Sequence, residues 1–334
     1  MLAGGIGSRF WPASTPDRPK QLLRLASDQP LIADTVDRAL ALVDKRRLKV
    51  LAAAHLVEQF KTLGDGWGDE LYWTEPQARG TCPVLAWAAW EIHRQDPDAV
   101  MVSLHADHRI EPVGDFVQTI AAAVQLARTE DLLLCIGAEP DRVESAFGHI
   151  EPGEPLLGQD APAAYRVSAF HEKPDVETAE RYVRQGYLWN TGIFVWKAST
   201  FLDEVRLHAP DVGRALPLLE QGPDAFFDAA PSCVVDTAVM ERSSRVGVVR
   251  SLFSWDDVGS WEALSRTREP DDAGNFTIGD GTVVSGSGNI VFAEGGRVVL
   301  FGVEDTIVVR TGDTTLVMHR DRAPDLKQLL ETLE

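Results

Sequence analysis

The sequence predicts an α/β fold, a mostly parallel sheet with flanking helices, followed by a small C-terminal β unit. Three observations carry that expectation. Short β-rich runs alternate with amphipathic runs through the first two thirds of the chain. One of these runs, Ala99–His105, is almost continuously apolar, as a parallel strand covered on both faces would be. Beyond Pro270 the chain changes to short strand-like pieces punctuated by glycine.

Taken in order, Lys49–Ala54, Glu70–Glu75, Ala99–His105 and Asp131–Gly137 read as strands. Leu31–Val43 reads as a helix, because Ile32, Val36, Ala39, Leu40 and Val43 fall on one stripe. Thr81–Gln95 and Asp115–Arg128 behave similarly, with Thr81 the expected N-cap and Pro83 tolerated in the first turn. Further on, Tyr165–Phe170, Gly192–Lys197 and Arg245–Trp255 read as strands, and Val176–Arg184, Thr200–His208 and Thr237–Arg242 as helices. The turn-rich stretch 269–275 divides the chain into a domain of residues 1–269 and a smaller one of 270–334. In the latter, Thr282–Ser285, Asn289–Ala293, Arg297–Phe301, Thr306–Arg310 and Thr315–His319 suggest a barrel-like unit or a short β-helix. Pro324–Leu333 closes the chain as a helix with Leu326, Leu329, Leu330 and Leu333 on one face, able to dock on its own domain or on a partner.

Composition narrows the function. The 334 residues carry 32 Lys plus Arg against 51 Asp plus Glu, a net charge of −19, which argues against a large nucleic-acid interface. No apolar run reaches membrane-spanning length and no secretion signal opens the chain, so a cytoplasmic protein is expected. Cys82, Cys135 and Cys233 are too widely spaced for a zinc pattern or a disulfide framework, and Cys82 and Cys135 read as core residues.

The strongest chemical feature is Leu2-Ala3-Gly4-Gly5-Ile6-Gly7-Ser8-Arg9, followed by Pro19-Lys20-Gln21. Glycines let backbone amides approach phosphate oxygens, and Arg9 with Lys20 supplies two cations for a polyphosphate. The spacing fits neither a Walker A loop nor a dinucleotide fingerprint; a tight strand–helix turn is the plain alternative. Asp107 ends the strand Ala99–His105, where an α/β sheet places its ligands, and Asp257 ends another strand-like run. Brought together they would offer two hard oxygen ligands to Mg²⁺; the alternative is that both acids cap helices or turns. His108 reads as a structural hydrogen-bonder. Glu172 and Asn190 suit a hydroxyl-rich ligand and Lys173 a phosphate, although a Glu-Lys pair before proline is also a common solvated turn.

Taken as an ordered set, Ala3–Pro12, Pro19-Lys20-Gln21, Ala106-Asp107-His108, Glu172-Lys173-Pro174, Trp189-Asn190-Thr191-Gly192 and Trp255–Trp261 resemble the sugar-1-phosphate nucleotidylyltransferases. Glu75-Pro76, Arg79, Thr81, Asp236–Glu241 and Asp257–Trp261 are similar to the guanylyltransferases that use mannose 1-phosphate. The resemblance implies a Rossmann-like fold of the nucleotide-diphospho-sugar transferase type. It also implies transfer of GMP from GTP to α-D-mannose 1-phosphate, giving GDP-mannose and pyrophosphate. Arg9 and Lys20 would hold the triphosphate, and Asp107 and Asp257 would hold Mg²⁺. Leu2, Gly4, Gly5, Gly7, Arg79 and Thr81 would line the nucleotide; Gly148, Glu172, Lys173 and Asn190 would line the sugar phosphate. A homodimer is expected, with no nucleic acid and no membrane as partner. Another sugar or NTP, or a non-catalytic nucleotide-sugar-binding regulatory relative, are the alternatives.

The sequence departs from the family pattern at four places. Arg79-Gly80-Thr81-Cys82-Pro83 stands for the usual Arg-Asn-Thr-Ala-Pro, and Ser145–Ile150 for Thr-Gly-Tyr-Gly-Tyr-Ile. His105 replaces a common proline. Few residues precede the glycine loop, so most of a central first strand is expected to be missing.

Overall fold

A computed structural model describes residues 1–64, 67–156 and 162–333. Strands β1 (Val50–Ala53) and β2 (Tyr72–Glu75) pair in parallel. The chain start lies beside β1: Leu2 bridges in parallel to Leu51 on one side and to His105 on the other. Leu2 N–H donates to the Leu104 carbonyl at 2.7 Å and Ala3 N–H to the Leu51 carbonyl at 2.9 Å. Three residues thus occupy the central position where a longer first strand was expected, and they join β1 and β2 to the run that begins with β3 (Val100–Ser103).

The remaining sheet strands are β5 (Leu133–Ala138), β6 (His149–Pro155), β7 (Ala164–His171), β8 (Leu188–Lys197) and β9 (Val246–Arg250). The six-stranded order is β3-β8-β5-β9-β7-β6, with β6 also touching β8. β5 and β9 run parallel, whereas β8 and β7 run against their neighbours, so the sheet is mixed. A small antiparallel ladder joins β4 (Arg109–Glu111) to β10 (Ser254–Asp256). The expected strand Arg245–Trp255 is therefore two strands: the chain leaves the main sheet after Arg250, and Trp255 pairs with Ile110 instead.

Helices cover both faces. On one side α1 (Leu31–Leu40), α2 (Ala54–Lys61) and α4 (Val113–Thr129) pack through Ile32, Val36, Phe60, Phe116 and Ile120. On the other, α3 (Thr81–Gln95) and α6 (Ala198–His208) pack through Trp87, Phe201 and Leu202. β5 shows the consequence: Leu133 and Cys135 point into one core, Leu134 and Ile136 into the other, and all are buried. Among the described residues no helix is long and apolar enough to cross a membrane.

The C-terminal unit is built of β11 (Phe276–Val284), β12 (Ile290–Phe301), β13 (Thr306–Thr311) and β14 (Thr314–His319). The first three stack in parallel, as successive β-helix coils do, and β14 turns back antiparallel. The separate pieces Asn289–Ala293 and Arg297–Phe301 belong to one strand, β12. Two buried asparagines hold the turns: Asn289 Nδ2 donates to Asn275 Oδ1 at 2.9 Å and to the Val303 carbonyl at 2.8 Å, and Asn289 Oδ1 accepts from Thr306 N–H at 3.0 Å. Phe276, Ile290, Phe292, Ile307 and Val309 form the coil interior and continue into Trp261, Phe10 and Leu23 of the N-terminal unit. The Trp261 ring lies 5.0 Å from Phe10 and 5.1 Å from Phe292, and Arg18 pairs with Glu294. The coil thereby backs the segment that follows the glycine-rich loop. Of the tail leucines only Leu326 is buried; Leu329 and Leu333 face solvent.

Candidate active site

The glycine-rich loop leaves the sheet directly after Ala3. Gly5 and Gly7 have φ of 93° and 72°, a region costly for residues with a β-carbon. At Gly7 a β-carbon would also lie 2.4 Å from the Lys20 Cβ, so glycine is required for close packing. The loop is anchored through its acceptors. Gln21 Nε2 donates to the Gly4 carbonyl at 2.9 Å, Lys20 N–H to that of Ile6 at 3.0 Å, and Ser14 Oγ lies 2.7 Å from the carbonyls of Ile6 and Gly7. The amides of Gly4, Gly5, Ile6 and Gly7 make no hydrogen bond among the described residues. Such a row of available donors suits an anion.

Lys20 lies beneath this loop and is almost wholly buried. Its ammonium donates to Asp107 Oδ2 at 2.9 Å and to the Asp257 carbonyl at 2.6 Å. Asp107 follows β3 and Asp257 follows β10, so two segments distant in sequence deliver the two acids. Burial alone would raise the Asp107 carboxyl, but Lys20, with smaller contributions from His108 and His105, holds it down to about 2. It is therefore ionised at neutral pH. Burial pushes the Asp257 carboxyl up, against the opposing charges of Lys20 and Arg9. Arg9 is exposed and reaches Asp257 only through its field. The Asp107 and Asp257 carboxylates lie near enough to feel one another's charge, and hard oxygen donors of this kind suit a divalent cation.

Neighbouring groups are occupied structurally. Asp256 accepts from Val258 N–H at 2.7 Å and from Arg266 Nε at 2.6 Å, which leaves the cleft to Asp257. His108 Nδ1 accepts from Trp255 Nε1 at 3.1 Å, and its ring stacks on His105 at 4.7 Å. Ligand atoms of His105, Asp107 and His108 lie within 4.8 Å of one another. Burial lowers both imidazoles, so they are neutral at pH 7.

A second cluster lies across Gly192, whose β-carbon would meet His105 Nε2 at 2.7 Å. There Gly148, Glu172 and Asn190 converge. The Gly148 carbonyl accepts from Asn190 N–H at 2.8 Å, and a β-carbon on Gly148 would lie 2.7 Å from Glu172 Oε2. Lys173 is largely exposed and its ammonium lies 3.0 Å from Glu172 Oε1. Sequence reasoning gave no role to Asp236, yet Asn190 Nδ2 donates to its Oδ1 at 2.8 Å. Burial, reinforced by the charge of Glu172, raises the Asp236 carboxyl to about 6. Its signal was the run Asp236–Glu241, which includes Glu241, whose Oε1 accepts from Glu172 N–H at 2.9 Å.

The third cluster is at the start of α3. Thr81 is not the N-cap: Gly80, at φ 81°, holds that position without a side-chain bond. The Thr81 hydroxyl instead accepts from Val235 N–H at 2.9 Å. The Arg79 guanidinium donates to the Phe227 carbonyl at 3.0 Å and to Gln77 Oε1 at 2.8 Å. The segment 233–236 links this loop to the Asp236–Asn190 pair, and the close approach of Gly192 to His105 links that pair to the surroundings of Asp107.

Comparison with known proteins shows the family. The family profile "Nucleotidyl transferase" matches residues 1–272, and "MannoseP isomerase/GMP-like beta-helix domain" matches residues 279–333. The chain is 34% identical over 348 residues to a mannose-1-phosphate guanylyltransferase of Klebsiella pneumoniae, covering 100% of this chain and 73% of that one. It is 33% identical over 346 residues to the alginate biosynthesis protein AlgA of Pseudomonas aeruginosa, covering 100% and 71%. A crystal structure described as mannose-1-phosphate geranyltransferase from Thermus thermophilus superposes with a TM-score of 0.90 at 30% identity, covering 99% of this chain and 97% of that one.

Proposed function

Because the chain belongs to the nucleotidyl transferase family, we propose that it transfers GMP from GTP to α-D-mannose 1-phosphate, forming GDP-mannose and pyrophosphate. The observation that carries the site assignment is the buried Lys20 ammonium, held between Asp107 and the Asp257 carbonyl beneath a glycine loop with available amides.

In this reading the amides of Gly4, Gly5 and Gly7 receive phosphate oxygens, with Leu2 at the base of the loop. Arg9 and Lys20 offset the charge of the triphosphate and of the departing pyrophosphate. Backbone near Arg79, with Thr81, borders the base. Glu172 and Asn190 bind sugar hydroxyls beside Gly148, with Asp236 as a further acceptor. Lys173, exposed at the rim, turns from Glu172 to the sugar phosphate. The sugar phosphate oxygen attacks the α-phosphorus in line and pyrophosphate leaves, so no side chain forms a covalent bond. The contribution of these residues is alignment and fixed charge.

Nucleotidyltransferases of this family generally use a divalent metal. Asp107 and Asp257 would hold it here as Mg²⁺, and the ion would supply charge neutralisation at the phosphates. The test incubates pure protein with Mg²⁺, each of several NTPs and a panel of sugar 1-phosphates. GDP-mannose and pyrophosphate from GTP with mannose 1-phosphate, at the highest kcat/KM of the panel, are expected. Absence of pyrophosphate release from that pair sinks the proposal.

A further inference from the structure

Two of the three cysteines meet beside the base-side loop, and nucleotidyl transfer has no use for them. Cys82, the second residue of α3, is wholly buried, whereas Cys233 is partly exposed on the segment that crosses it. Two backbone hydrogen bonds set the segments side by side: Cys82 N–H to the Cys233 carbonyl at 3.2 Å, and Cys233 N–H to the Arg79 carbonyl at 3.0 Å. A β-carbon on Gly80 would lie 2.4 Å from the Cys233 carbonyl oxygen, so glycine permits this approach. The Cys82 thiol donates a hydrogen bond to the Cys233 sulfur.

That bond distinguishes the two thiols. It keeps the proton on Cys82, whose thiol is pushed up further by burial, and it draws the Cys233 thiol below its ordinary value. Cys233 is thus both the more acidic and the more accessible, as a nucleophilic thiol must be. Cys135 differs on every count: it is wholly buried in β5, burial pushes its thiol up, and its Sγ lies against the Gly247 carbonyl at 3.4 Å.

We propose that Cys82 and Cys233 are an oxidisable dithiol, a modification site whose co-reactant is a hydroperoxide, and that its closure to a disulfide clamps the base-side loop. The Cys233 thiolate attacks the terminal peroxide oxygen; the O–O bond breaks, Cys233 becomes a sulfenic acid, and the departing alkoxide or hydroxide takes a proton. The Cys82 sulfur then displaces hydroxide from the sulfenic sulfur, and that hydroxide leaves as water with the Cys82 proton. The dithiol loses two electrons and two protons, and the peroxide is reduced to alcohol, or water, plus water. Closure draws the sulfurs from hydrogen-bond contact to about 2.0 Å. One end of the new link carries Arg79 and Thr81, and the other leads into Asp236. The effect on GTP binding rests on the function proposed above; the disulfide itself does not.

The whole protein is treated with hydrogen peroxide, alkylated, and digested without reduction. A linked peptide pair joining Cys82 to Cys233 is expected, with thiols titrated in denaturant falling from three per chain to one. The KM for GTP should rise several-fold and return with dithiothreitol. Cys233→Ser and Cys82→Ala should each abolish both the linked pair and the response of KM. Oxidation that takes Cys233 to sulfinic acid while Cys82 stays alkylatable overturns the dithiol. A linked pair with unchanged KM for GTP overturns the clamp. If no nucleotide is turned over at all, the peptide map still decides the disulfide, so the two failures are separable.

Discussion

Replacing Lys20 with methionine removes the cation between Asp107 and Asp257 while leaving a stem that packs against Gly7 and above the Phe10 ring. Its cost can be worked from Asp107. Burial would raise that carboxyl, yet it lies at about 2 instead of 3.8, chiefly because of Lys20. A depression of that size is worth about 2 kcal/mol. An exposed pair would contribute well under 1 kcal/mol, but the two side chains here are only 7% and 22% exposed. The native carboxyl is depressed, so this stability is full above pH 4 and is lost as the pH falls through about 2. Urea unfolding in EDTA of wild type, Lys20→Met, Asp107→Asn and the double variant should give a coupling of about 2 kcal/mol at pH 7. It should shrink toward zero near pH 2. A coupling below about 0.5 kcal/mol at pH 7 would refute the inference that Lys20 is the organising charge of the cleft.

Other outcomes follow from the same geometry. Gly148→Ala puts a carbon 2.7 Å from Glu172 Oε2 and 3.2 Å from Asn190 Cβ, so the KM for the sugar phosphate should rise about tenfold while that for GTP changes little; steady-state kinetics with each substrate varied checks this. Asn289→Ala leaves Thr306 N–H without its acceptor and the Val303 carbonyl without its side-chain donor, while Asn275 Oδ1 keeps only the backbone N–H of residue 289; it should cost about 2–4 kcal/mol, read from thermal unfolding. Asp236 is raised, not depressed, so its ionisation destabilises the folded state. Stability should fall by a quantity of order 2–3 kcal/mol as pH rises from about 4 to about 6, and Asp236→Asn should flatten that slope in metal-free melts.

The parts of the fold legible in the sequence were those fixed by local pattern. The helices α3 and α5 (Val176–Arg184) have the limits that their periodicity indicates. Double burial was expected of Ala99–His105, but β3 there alternates half-buried and buried residues and pairs antiparallel with β8, because it lies at an end of the six-stranded order; the strand whose every residue is buried is β5. Pairing direction was not legible, since an apolar run such as β8 looks the same whether its neighbours run with it or against it. The break that splits Arg245–Trp255 into β9 and β10 was not legible because the partner of Trp255, Ile110, is distant in sequence. The asparagine turns of the β-helix were missed because an isolated asparagine looks like any polar loop residue until the coils stack. At the site, Gly7 and Lys20 could be linked by spacing, but the Lys20–Asp107 pair required the tertiary structure. The run Asp236–Glu241 was visible in the sequence, but Asp236 is singled out within it only by its meeting with Asn190. Thr81 was misread because capping propensity is local, whereas Val235, 154 residues further on, claims the same hydroxyl.

The most direct test of the assigned cleft is kcat/KM for mannose-1-phosphate-dependent pyrophosphate release from GTP by Asp107→Asn and Asp257→Asn, with circular dichroism to establish folding. Each substitution keeps the side-chain size and removes one anionic oxygen donor. Each folded variant should lose a factor of about 10³ or more, the scale on which a preorganised charge acts in a closed site. Folded variants that retain activity within tenfold of wild type would place the chemistry somewhere other than beneath the glycine-rich loop.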